Sequence, residues 1–231
     1  MKQKEISLNS PRIRSLQNAS EDKEEHFITS YNTPLREDAF EMDDATKVKK
    51  ISEHFEAIMD ILGLDLNDDS LRGTPDRVAN MYVKEIFSGL NPSNKPSITL
   101  FDNKYKYDEM LVEKEITFYS NCEHHFVPIF GKAHVGYFSN GKVIGLSKIN
   151  RIVQYYAKRP QVQERLTVQI ANAMKDALKT QDVAVVIDAT HLCVSSRGVG
   201  DTSSTTGTAH FSGKFTKRRT RQEFLDFINN K

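Results

Sequence analysis

Each of the chain's two cysteines, Cys122 and Cys193, stands within three residues of a histidine. Cys122-Glu123-His124-His125 sets a thiol and an imidazole three positions apart, a spacing at which a tight turn or a helical start directs both to one point. His191-Leu192-Cys193 does the complementary thing on an extended segment, where residues two apart face the same side. A fold that brings the two segments together gathers thiolates and imidazoles, soft to borderline ligands suited to tetrahedral zinc. Other readings of the same residues are an inert buried cysteine pair, a redox pair, or a structural zinc closed by four side chains. If Cys122, His125 and Cys193 are the only ligands, a fourth position stays open to water, as catalysis requires. His124 and His191 then lie beside the ligands as proton donors or acceptors. His26, His54, His134 and His210 have no such setting and read as ordinary surface or core residues.

The rest of the chain organises around these segments. Residues 1–43 are rich in Lys, Glu, Ser, Asn and Asp with no apolar period, which reads as a disordered tail. From Asp44, the residues Val48, Ile51, Phe55, Ile58, Met59 and Leu62 recur at helical spacing, and Gly63 suits a left-handed cap. A second helix is expected with Thr74 as N-cap and Pro75 in its first turn, ending at Gly89. The period then changes. Ile116 and Phe118, then Ala133, Val135 and Tyr137, alternate as half-buried antiparallel strands do, and Asn140-Gly141 predicts a hairpin turn into a strand over residues 143–146. Residues 147–158 and 161–178 have helical periodicity, with Pro160 between them. Residues 183–188 form a β-branched strand leading to His191, and a Gly-, Ser- and Thr-rich loop, a strand near residues 209–215 and a basic C-terminal helix follow. The order gives an α+β domain, an antiparallel sheet with helices on one face, whose free edges invite pairing with another chain.

Charge is balanced, 32 basic against 31 acidic side chains, so no overall field draws the molecule to nucleic acid. The sequence has no apolar run that spans a bilayer, and its first residues lack the apolar core of a secretory signal. The cytoplasm is the expected compartment. Anions must be held locally. Lys148 and Arg151 follow Ser147, a candidate N-cap, at a helix start, and Arg197-Gly198 opens a loop just beyond Cys193. Gln163 and Glu164 occupy the first turn of the next helix. By residue type alone Glu164 reads as a surface acid that gains from the helix dipole. It has a different role only if the substrate is a purine carrying N1–H and an exocyclic amino group, as guanine does, which one carboxylate accepts as a bidentate pair.

In order and spacing, Arg72-Gly-Thr-Pro-Asp-Arg77, Cys122-Glu-His-His125, Gly145-Leu-Ser-Lys-Ile-Asn-Arg151, Arg159-Pro-Gln-Val-Gln-Glu-Arg165 and His191-Leu-Cys193 with Arg197-Gly198 resemble the GTP cyclohydrolase I family. The resemblance runs from about residue 45 to the C-terminus. It implies a tunnelling fold (T-fold), an antiparallel sheet backed by two long helices, with an N-terminal helical segment over residues 44–108 and a catalytic domain over 109–231. It implies a toroidal homodecamer of two pentamers with active sites between subunits. It further implies zinc held by Cys122, His125 and Cys193, and conversion of GTP to 7,8-dihydroneopterin triphosphate and formate. In that scheme His124 and His191 are catalytic, with His191 protonating guanine N7, and Ser147 assists the ribose rearrangement. Glu164 with Gln163 holds guanine, while Lys148, Arg151, Arg197 and Arg77 hold the triphosphate. Ser195 stands where some members carry a lysine.

Overall fold

The structure is a computed structural model, and it describes residue 30 and residues 32–229. The expected tail over residues 1–43 therefore lies largely outside the described residues. Asp43 caps the first helix, α1 (Asp44–Ile61), by accepting from the Thr46 N–H at 2.8 Å, and Gly63 takes the left-handed φ of 79° that the helix end requires. The second helix, α2 (Thr74–Met81), begins one residue earlier than expected. Gly73 is its N-cap, and Thr74 is already helical ahead of Pro75. It passes into a π-turn over Tyr82–Ile86 and a 3₁₀ turn over Ser88–Leu90. Gly89 sits where no side chain fits, because a Cβ there would lie 2.0 Å from the Tyr155 carbonyl oxygen.

The remaining elements are β1 (Leu100–Asp102), β2 (Met110–Cys122), β3 (Pro128–Phe138), β4 (Lys142–Ile144), α3 (Leu146–Ala157), β5 (Pro160–Gln161), α4 (Gln163–Leu178), β6 (Val183–His191), α5 (Leu192–Ser195), β7 (Thr206–Phe211) and α6 (Arg218–Asn229). The main sheet has the order β5-β2-β3-β6-β7, with β2, β3, β6 and β7 antiparallel in turn and β5 a short parallel addition beside β2. Gly141 makes the expected turn with φ 78°, but the strand after it does not return along β3. Instead β4 pairs with β1, Leu100 opposite Ile144, in a separate two-stranded sheet.

Alternation along the strands sorts side chains onto two faces. Phe118, Val135, Tyr137, Val185 and Ile187 pack against Ile149 and Val153 of α3 and Leu166, Ile170 and Met174 of α4, forming the larger core. The other face is also covered, contrary to the expectation of helices on one side. Met110, Phe138, Ala184 and Val186 meet Phe215 and Phe224, and a Cβ on Gly136 would lie 2.7 Å from the Phe224 ring. Phe138, Ala184 and Val186 reach this face by alternation, and Met110 joins them through a bulge between Glu113 and Ile116, with Glu115 at φ 60°, because one extra residue re-phases β2.

Candidate active site

The two Cys–His segments lie at neighbouring strand ends. Cys122 is the last residue of β2 and Pro128 opens β3, so the residues between them form the connecting turn. That turn is fastened throughout. The Phe126 N–H donates to the Cys122 carbonyl at 2.8 Å, the Cys122 N–H donates to the Val127 carbonyl at 2.9 Å, and Asn121 Nδ2 donates to the Phe126 carbonyl at 3.0 Å. These bonds hold Phe126 at φ 54°, a region costly for an aromatic residue. The Glu123 N–H reaches the Gln161 carbonyl at 3.0 Å, which ties the turn to β5 and the start of α4.

From the other side, β6 runs antiparallel to β3 with Ile129 opposite His191, which delivers the second segment to the same end of the sheet. The chain does not stay extended beyond His191, as the sequence pattern suggests. His191 closes the strand and caps the single helical turn α5, so Cys193 reaches the site from a helical turn. The outcome is a converging set in which one ligand atom each from Cys122, His125 and Cys193 lies within 4.8 Å of the others. Cys122 Sγ is 3.8 Å from His125 Nδ1. Zinc bonds of about 2.0–2.3 Å imply ligand–ligand edges of about 3.3–3.8 Å, so a small contraction accommodates the ion. Burial and the adjacent Cys122 thiol push the Cys193 thiol up, as for two sulfurs that need a cation between them before both ionise. The residues present fit a soft divalent metal.

His124 lies beside this set but outside it. Its Nδ1 is 3.7 Å from Cys122 Sγ, and its Nε2 lies 3.9 Å from Glu123 Oε1. His191 Nε2 is 2.7 Å from Gln163 Oε1, and burial holds its imidazole below the usual range, opposed in part by the Glu164 carboxylate. Glu164 itself is exposed in the first turn of α4, facing the same space. Arg197 is exposed and acts electrostatically on Cys193. These residues gather in one region.

Among the described residues, the contacts of the other expected phosphate and ribose groups lie elsewhere. Ser147 is exposed and lies inside α3, whose N-cap is Gly145, so it is not the helix cap that its position in the sequence suggested. Lys148 Nζ reaches Ser97 Oγ at 3.5 Å, and Arg151 lines a cleft with Ser88, Asn94 and Lys158. Arg77 Nη2 donates to the Ser70 carbonyl and Thr74 Oγ1, both at 2.9 Å. One pair goes unnoticed in the sequence reading. Arg165 is almost fully buried and is paired with Glu123, which lies between Cys122 and His125 in the sequence. A cation in the first turn of a helix opposes the helix dipole, and that mismatch is the signal that an acidic partner must exist.

Comparison with known proteins agrees with this geometry. The family model described as GTP cyclohydrolase I matches residues 51–229. GTP cyclohydrolase 1 of Flavobacterium johnsoniae is 61% identical over 88% of this chain and 91% of its own length. The enzymes of the same name from Citrobacter koseri and Salmonella arizonae are 56% and 55% identical, each over 86% of this chain and 90% of their own. Among solved structures, the apo form of the archaeosine synthase QueF-Like aligns with 47% of this chain and 97% of its own at 19% identity and a TM-score of 0.39, too slight a likeness to add to this. The chain belongs to the GTP cyclohydrolase I family, and its sheet backed by α3 and α4 is a tunnelling fold.

Proposed function

We propose that this protein converts GTP to 7,8-dihydroneopterin triphosphate and formate, the first step of pterin and folate biosynthesis, at a zinc centre held by Cys122, His125 and Cys193. The observation that carries the reading is the convergence of those ligand atoms beside two further histidines and an exposed carboxylate. Zinc held by this set supplies Lewis acidity and a water nucleophile active at neutral pH.

The chain's own groups supply orientation and proton traffic. Glu164 accepts from guanine N1–H and the exocyclic amino group, which sets the imidazole ring of the base toward the metal ligands. His191 gives a proton to N7 as water adds at C8, and the five-membered ring opens. A second water releases formate. His124 and Ser147 then move protons during the ribose rearrangement, and ring closure expels one water, so GTP and one net water give the two products. Lys148, Arg151, Arg197 and Arg77 hold the triphosphate.

Within one chain, Lys148 and Arg77 have partners, and Arg151 lines a cleft, away from the converging set, which supports sites completed by a neighbouring copy. The reading therefore includes a toroidal decamer with inter-subunit active sites, a helical segment over residues 44–108 ahead of the catalytic domain over 109–231, and action in the cytoplasm. No helix among the described residues is long and apolar enough to cross a membrane. Incubating GTP with zinc-loaded protein tests the activity. Formate and a product that turns fluorescent on oxidation are expected, both lost with a chelator and regained with zinc. Intact GTP, or a product that stops at ring opening, would overturn the reading.

A further inference from the structure

Gln163 is 2% exposed, and both hydrogens on its carboxamide nitrogen are engaged. Its Nε2 donates to the Ile187 carbonyl at 3.1 Å and the Thr206 carbonyl at 2.7 Å, and it lies 3.1 Å from Thr208 Oγ1. Carbonyl oxygens only accept, so the amide cannot be turned over without setting its own oxygen against two others. The hydroxyls agree with this assignment. Thr167 Oγ1 donates to the Gln163 carbonyl at 2.9 Å, so the 2.7 Å contact between Thr167 and Thr208 must use the Thr208 proton. That leaves Thr208 Oγ1 as an acceptor toward Gln163. The network has one consistent set of donors, spread over α4, β6 and β7.

Gln163 Oε1 therefore faces His191 Nε2, at 2.7 Å, and an amide oxygen there requires a hydrogen on that nitrogen. We infer that Gln163 is a positioning residue that locks His191 in the Nε2–H tautomer and does not contact guanine. Nδ1 is then the nitrogen left for proton exchange, the one through which the proposed reaction would deliver a proton to N7. The carboxamide fixes the ring plane as well, because its own orientation is set by two strands. Base recognition is left to Glu164, the exposed neighbour on the same helical turn.

Only the kinetic consequence rests on the proposed GTP reaction; the tautomer does not. Solid-state nitrogen NMR of the zinc-loaded protein carrying ¹⁵N-histidine, with the His191→Asn variant identifying the signals, should show His191 protonated at Nε2. Protonation at Nδ1 alone would overturn the inference, whatever the protein does to GTP. In Gln163→Met, zinc content should hold and the single tautomer should be lost. Its kcat should fall about 10- to 100-fold, the usual effect of losing a group that orients a histidine beside a metal site, with KM for GTP changed less than about twofold. A raised KM with kcat intact would make Gln163 a guanine contact and end the proposal. Wild-type protein inert toward GTP would remove the function and leave the NMR result to stand or fall by itself.

Discussion

Arg165 grips the carboxylate of Glu123 with both terminal nitrogens, Nη1 on Oε2 and Nη2 on Oε1, the latter at 3.2 Å. The pair links the turn that carries Cys122 and His125 to the helix that carries Gln163 and Glu164, so one contact sets the Cys–His turn relative to the start of that helix. The guanidinium side chain is 3% exposed and the carboxylate 19%. Removing one partner of a largely buried pair costs about 3–5 kcal/mol, because the other charge is left without compensation. Arg165→Met and Glu123→Gln should each lose about 3 kcal/mol in denaturant unfolding and release zinc to a chelator faster, and the double variant should recover part of the loss. Singles as stable as the wild type would show that the pair holds nothing.

Gly89 donates its N–H to the Lys158 carbonyl at 2.9 Å, and its Cα lies so close to the end of α3 that an added Cβ would meet two carbonyl oxygens, at 2.0 and 2.7 Å. Backbone cannot move aside as a flexible side chain can. Gly89→Ala should destabilise the fold by about 1–3 kcal/mol or more, while alanine at Gly73 meets only the movable end of Arg77 and should cost less. Thermal unfolding of the two variants checks the order, and equal losses would contradict the close approach.

Much of this architecture is legible in the sequence, because single-period signals survive packing. Gly63, the β6 run and the turn between Cys122 and His125 are local patterns that tertiary contacts reinforce, and the α1 stripe forms its helix although Met59 alone of it is buried. The departures arise where a non-local partner decides. The extra residue at the β2 bulge re-phases the strand, so Met110 faces α6 while Phe118 faces α3 and α4, and no alternation count reveals that shift. Val143 reads as a hairpin return, yet it pairs with Phe101 far upstream. Cys193 fits a strand by spacing, but the chain turns helical once β6 runs out of partner beyond Ile129. In the site, ligand chemistry is visible from residue types. The Glu123 to Arg165 pair is signalled only by a cation in a first helical turn, which does not name its partner, and the enclosure of the Gln163 amide is not signalled at all.

Acid should weaken the fold through two histidines away from the metal set. Burial holds His134 below the ordinary imidazole range against the pull of Glu115 and Asp188, and burial together with Lys175, 2.9 Å away, does the same to His210. The fold favours the neutral rings, so the unfolded chain binds more protons as pH falls below about 6.5 and stability is lost in that window. The melting temperature of metal-free protein should fall between about pH 7.5 and 5.5, and fall less in His134→Gln/His210→Gln. An identical drop in both proteins would assign the effect elsewhere.

Lys148 and Arg197 are assigned to the triphosphate, so their loss should act on binding. Lys148→Met and Arg197→Met should each raise KM for GTP by about 10- to 100-fold, the equivalent of a lost charge-assisted hydrogen bond, with zinc content unchanged. Steady-state kinetics of formate release measures this. Unchanged KM in both would place the phosphates elsewhere.

X-ray absorption at the zinc edge of the metal-loaded protein addresses the central claim most directly. Two sulfurs at about 2.3 Å, one imidazole and one further light ligand at about 2.0–2.1 Å are expected for Cys122, Cys193, His125 and a solvent position. Fewer than two sulfurs, or a second imidazole in the fourth place, would contradict it.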